Sequence, residues 1–141
     1  MDIKKINTEM EIESCFNVFS ELRPHVKNKL EFCDKVSTQM REGYQIIAAV
    51  DNGNVVGCIG YRVLNTLAWD KILYIDDLIT TNNYRRNNCG TELLNYAINH
   101  AKALNCTEVH LDTGYTRYEA HKLYLKQGFQ LACHHLSLKI S

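Results

Sequence analysis

Six consecutive residues, Arg85-Arg86-Asn87-Asn88-Cys89-Gly90, stand between an apolar run ending Ile75-Asp76-Asp77-Leu78-Ile79-Thr80 and a helical pattern that opens at Gly90. A strand that feeds a polar loop opening a long helix aims unpaired backbone N–H groups and the positive end of the helix dipole at one point. That point is an anion site. Arg85 and Arg86 add positive charge beside it, and Gly90 lets a phosphate approach the backbone closely, so a diphosphate is the natural occupant. The bland alternative is a solvated loop closed by a turn glycine. The window lacks the Gly-Lys-Ser/Thr ending of a Walker loop and the three glycines of a dinucleotide fingerprint, which excludes nucleotide hydrolysis and hydride transfer. Cys89 reads either as a small buried hydrophobe or as a thiolate nucleophile at a helix terminus.

The elements that must hold this loop follow from periodicity. Ile3 to Ile6 forms a short strand, and Thr8-Glu9-Met10-Glu11 has capping-box spacing for a helix with the stripe Ile12, Cys15, Phe16, Phe19, Leu22 that stops before Pro24. A second helix carries Leu30, Cys33, Val36 and Met40 and ends near Gly43. Strands at 44–50 and 55–64 flank Asp51-Asn52-Gly53-Asn54, an antiparallel hairpin. The run 71–80 is apolar on both parities, as a central strand covered on both faces requires. A helix from Gly90 turns Leu93, Leu94, Ala97, Ile98, Ala101 and Leu104 inward; a strand at 107–113, a helix at 117–127 and a strand at 129–140 complete the chain. The predicted class is mixed α/β, in the order β-α-α-β-β-β-α-β-α-β with about four helices flanking one sheet.

The 141 residues suit one domain, 1–141. Sixteen basic residues balance sixteen acidic ones, so no general field attracts nucleic acid or an anionic membrane. The amino terminus, Met1-Asp2-Ile3-Lys4-Lys5, lacks a signal-peptide core, and six scattered cysteines without Cys-x-x-Cys spacing fit a reducing compartment; the expected location is cytoplasmic. No metal is expected: His134 and His135 alternate across a strand, and His110 with Asp112 makes too few ligands.

Arg85-x-x-Asn88-x-Gly90 after an apolar strand resembles the Arg/Gln-x-x-Gly-x-Gly/Ala motif of the GNAT superfamily of N-acetyltransferases. Ala120-His121-Lys122-Leu123-Tyr124-Leu125-Lys126-Gln127-Gly128-Phe129 is similar to that family's Ala-x-x-Phe-Tyr-x-x-x-Gly-Phe segment, and the element order matches over nearly the whole chain. Arg117 to Phe129 is most similar to bacterial aminoalkylphosphonate N-acetyltransferases. The resemblance implies a splayed central sheet and acetyl-CoA as co-substrate. Its pyrophosphate would lie on Arg85, Arg86, Asn87, Asn88, Cys89, Gly90 and Thr91, and its pantetheine along the backbone of Leu78, Ile79 and Thr80. Asn88 departs from the usual Gly, but Asn tolerates a left-handed conformation.

The implied reaction is direct attack of a small-molecule primary amine in a ternary complex. Two proton jobs arise, a neutral amine and an acid for the leaving thiolate. Tyr124 is the acid candidate, against a packing role with Leu123 and Phe129. Many relatives carry a glutamate where this chain has Tyr74; Asp76 is the substitute base and Asp77 the second, unless both merely mark where the strand leaves the core. Regular alternation puts Asp76 on the face of Tyr74 and Leu78, and Asp77 on that of Ile75 and Ile79, unless a bulge intervenes. A backbone N–H near Leu78 or Ile79 would hold the oxyanion. Arg117 and His121 read as surface and capping groups. Two other readings stay open, an acyl-CoA-binding sensor without turnover and a Cys89 thiol enzyme. The site's expected openness leaves room for a second subunit, as a homodimer.

Overall fold

The computed structural model describes residues 1–84 and 87–141, without the side chain of Asn83. They divide into two compact units, Met1–His110 and Leu111–Ser141. In chain order the elements are β1 (Asp2–Ile6), α1 (Glu9–Ser14), α2 (Phe16–Leu22), α3 (Lys29–Arg41), β2 (Gln45–Asp51), β3 (Asn54–Thr66), β4 (Asp70–Thr80), a 3-10 turn (Asn82–Tyr84), α4 (Cys89–Ala103), β5 (Glu108–Leu111) and α5 (Tyr118–Lys126). The sheet runs in the order β1-β2-β3-β4-β5. β1 to β4 are successively antiparallel, and β5 makes the sheet mixed.

The capping box forms as its residues dictate: Thr8 Oγ1 accepts from the Glu11 amide while the Glu11 carboxylate accepts from the Thr8 amide. The helix it starts is not continuous to Pro24, as its stripe predicted, but breaks at Cys15. The Cys15 thiol bonds back to the carbonyl of Glu11 and the Cys15 amide turns to the carbonyl of Ile12. Such back-bonding competes with the helical ladder and bends it. In α3 the stripe is Phe32, Cys33 and Val36, whereas Leu30, only one residue into the first turn, is 74% exposed.

The β2–β3 turn uses Asn52 and Gly53, both at positive φ, as a two-residue hairpin loop requires. Residues directly opposed in an antiparallel ladder share a face. Ile46, Ala48, Cys58 and Ile79 thus join Ile12, Val18, Phe19, Phe32 and Val36 in one core beneath α1, α2 and α3. Gly57 and Tyr61 face α4 instead, where Tyr61 lies edge-on to His100.

The strand expected at 129–140 does not form. Leu131, Leu136, Leu138 and Ile140 are 84% to 93% exposed. Their alternation defines an apolar face, but a strand also needs a ladder partner, and alternation cannot specify one. α4 is bounded close to expectation, starting at Cys89. No helix among the described residues is long and apolar enough to cross a membrane.

Lys4, together with the amides of Thr8 and Asn7, pulls the Glu11 carboxyl down from 4.5 to about 2. A folded-state pKa below the unfolded one adds stability above pH 4.5 that disappears as pH falls through about 2. The melting temperature of Glu11→Gln should therefore lie below wild type at neutral pH, and the gap should close on acidification over that window.

Candidate active site

β4 carries the carboxylates, and its ladder with β3 contains the feature that places them. Gly60 pairs with Asp77 but Tyr61 pairs with Ile75, leaving Asp76 as an extra residue in a β-bulge. Regular alternation therefore fails here. Tyr74, Asp76 and Asp77 all emerge on the α1–α3 face, and Leu78 turns to the α4 face opposite Ile59.

Asp76 accepts both arms of the Arg62 guanidinium, at 2.8 and 2.9 Å, and Arg62 in turn lies over the Tyr74 ring. Burial raises the Asp76 carboxyl above the usual range, against the opposing pull of Arg62. Asp77 is held differently. Its Oδ1 accepts from Arg23 Nε at 3.0 Å and its Oδ2 from the Tyr44 hydroxyl at 2.6 Å. Arg23 also donates to the backbone carbonyl of Asp76, tying the bulge to the end of α2. Tyr44 is buried, and burial with the Asp77 charge keeps its phenol protonated well above its ordinary value. Gly60 is what admits it, because a Cβ there would overlap the Tyr44 hydroxyl.

Asp77 and Tyr44 form the inner wall of a cavity of about 550 Å³ that runs between α2 and α3, with Phe16, Phe19 and Phe32 along its apolar side. Sequence reasoning missed Tyr44, Gly60 and Arg62, whose roles acquire meaning only once the register of β3 against β4 is known.

At the far end of β4, Leu78 and Ile79 are buried and Thr80 is half-buried. β5, at four residues, is too short to flank the eleven residues of β4 along their length. Thr107 donates to the carbonyl of Lys71, so β5 starts beside the opposite end of β4. After Thr80 the chain makes the 3-10 turn, and the Tyr84 hydroxyl anchors it to Asp51 at the tip of the β2–β3 hairpin. Arg85 and Arg86 lie outside the described residues. Asn88 takes φ +58° and ψ +17°, the left-handed conformation expected of it, directly before α4.

Cys89 is fully buried, and burial pushes its thiol up while a hydrogen bond with Thr80 pulls the other way. This overturns the thiolate alternative, which needs an exposed thiol of lowered pKa. Cys89 instead seats α4 on the sheet: a Cβ on Gly57 would lie 2.6 Å from its Sγ and 3.1 Å from Leu93 Cδ1. Gly90 and Thr91 follow in the first turn of α4. In the second unit, Tyr124 is buried on α5 with its ring 5.8 Å from that of Phe129, and burial raises its phenol above the ordinary value. His121 bonds the carbonyl of Gly114.

The sequence profile of the acetyltransferase (GNAT) family matches residues 8–129. The chain belongs to this family. It is an acyltransferase that takes acetyl-CoA as its co-substrate. An uncharacterized N-acetyltransferase of Bacillus subtilis (strain 168), YhdJ, is 27% identical over 135 residues, 92% of each chain. A crystal structure of a transcriptional regulator from Bacillus halodurans C-125 superposes with TM-score 0.87 at 19% identity, covering 99% of both chains. The aminoglycoside N-acetyltransferase AAC(6')-Iy in complex with CoA superposes with TM-score 0.82 at 14% identity, covering 98% of this chain and 93% of that one. These likenesses establish a shared GNAT fold.

Two expectations follow for this GNAT acetyltransferase. Gly57→Ala must shift Cys89 at the start of α4, costing about 1–3 kcal/mol by overpacking, as thermal melts would register. In a thiol titration of the native protein at pH 7, the exposed Cys133 should react first and Cys89 only on unfolding.

Proposed function

We propose that this chain transfers the acetyl group of acetyl-CoA to a primary amine of a small molecule, by direct attack in a ternary complex. The observation that carries this reading is the cavity that meets β4 at Asp77, immediately before the Leu78–Thr80 segment assigned to pantetheine. An acceptor seated there approaches the strand that would hold the thioester. The amides from Asn87 to Thr91, with Arg85 and Arg86, take the pyrophosphate, and the dipole of α4 favours its charge.

An N–H of Leu78 or Ile79 stabilises the oxyanion. Asp76, with its raised carboxyl, takes the amine's proton through water. Asp77 is the second candidate base; its oxygens accept from Arg23 and Tyr44 as those of Asp76 accept from Arg62, so either carboxylate reaches the amine only through water. Tyr124, a phenol that carries its proton at neutral pH, is the acid for the departing CoA thiolate. The buried Cys89 offers no nucleophile for an acetyl-enzyme. The reading treats both units as one catalytic domain, supported by a family match that runs across residue 110. A balanced charge and six free thiols support a cytoplasmic setting.

The test is calorimetric binding of acetyl-CoA followed by CoA release across a panel of primary amines. Binding with turnover supports the proposal, and binding without turnover on any amine replaces it with the sensor. Tyr124→Phe should lower kcat about 100-fold, the scale of a lost general acid, with acetyl-CoA affinity nearly unchanged. An undiminished rate would remove Tyr124 from the mechanism.

A further inference from the structure

We infer that residues 136–140 add as a sixth strand to the outer edge of β5 in a second copy of this chain, each copy giving one strand and receiving one.

The argument starts from a strand pattern without a ladder. Residues 130–141 are all exposed, and among the described residues no backbone–backbone hydrogen bond reaches them. In an extended chain Leu136, Leu138 and Ile140 share one face, at 84% to 90% exposure, and Ser137 and Lys139 share the other. Three large aliphatic side chains together on one exposed face mark an interaction surface, unlike apolar residues scattered singly. The ion pair between His135 Nδ1 and Asp112 Oδ1, at 3.2 Å, fixes the point from which this segment departs.

β5 offers what the segment lacks. It is the last strand of the five-stranded sheet, and among the described residues no strand pairs with its outer edge. Such an edge is a template for a strand from another chain. β5 is also two-faced, with half-buried Val109 and Leu111 on one side and Glu108 and His110 on the other. Antiparallel pairing of Lys139 with Glu108 sets Leu138 opposite Val109 and Leu136 opposite Leu111, so that apolar meets apolar on one face and base meets acid on the other. A shift of one residue would set the leucines against Glu108 and His110.

Charge supports the same partner. Residues 129–141 contain Lys139 and two histidines and no acid, whereas β5 presents Glu108, with Asp112 just past its end. A second copy carries both the segment and the edge, so the exchange is isologous and closes at two chains. Each closure covers one exposed apolar face and one open edge.

Light scattering on the full chain tests this. The expected mass is twice the 16.3 kDa of one chain. The Leu136→Asp, Leu138→Asp double variant should return to a single chain with an unchanged circular dichroism spectrum, since both side chains are exposed in the single chain. Glu108→Lys and Lys139→Glu identify the partner strand. Each alone should weaken dimerisation about 10-fold, because like charges then meet at both symmetry-related contacts. Mixing these two variants should restore the dimer, since each contact of the mixed pair joins a lysine to a glutamate. A single-chain mass for the wild type overturns the inference, whether the segment then packs on its own β5 or binds a different protein. A dimer that survives the leucine double variant overturns it too, as do charge variants that fail to recover on mixing.

Discussion

One extra residue in one strand governs the site. The bulge at Asp76 turns two adjacent carboxylates to the same side of a central strand, where regular alternation would bury one against α4. Two charges so placed are stable only with partners, and each has its own arginine, Arg62 from the neighbouring strand and Arg23 from the end of α2. Those pairs in turn fix the course of the chain after α2 and hence the mouth of the cavity. Removing either arginine would leave a half-buried carboxylate without its countercharge.

A second constraint is close approach. At Gly60 the missing side chain is the space occupied by the Tyr44 hydroxyl, and at Gly57 it is the space occupied by Cys89. The two glycines lie three residues apart on opposite faces of β3, so one strand seats the wall of the cavity on one side and the start of α4 on the other. The acceptor and cofactor assignments thus share a single backbone. Tyr84, bonded to Asp51, ties the loop between them to the β2–β3 hairpin.

Much of this was legible in the residues. The capping box at Thr8, the Asn52-Gly53 hairpin, the β4 run with apolar residues on both parities and the stripe of α4 were readable because each depends on local chemistry. Asn88 was readable for the same reason, since few residues other than Gly accept its left-handed backbone. The break at Cys15 was not, because the stripe of α1 and α2 keeps its helical period across it. The missing strand at 129–140 failed in the opposite sense: a correct period with no partner to pair with.

Composition, periodicity and the motifs Arg85 to Gly90 and Ala120 to Phe129 by themselves determined the fold class and the family resemblance, since both are written in residues near one another in the chain. Tertiary structure alone decided which way Asp76 and Asp77 point, that Tyr44 and Arg23 claim Asp77, and that Cys89 is buried packing rather than a nucleophile. The physical reason is register. A side chain's face depends on its count from the last irregularity in the ladder, and Asp76 becomes the extra residue only against the register of β3, whose residues β4's own sequence does not contain.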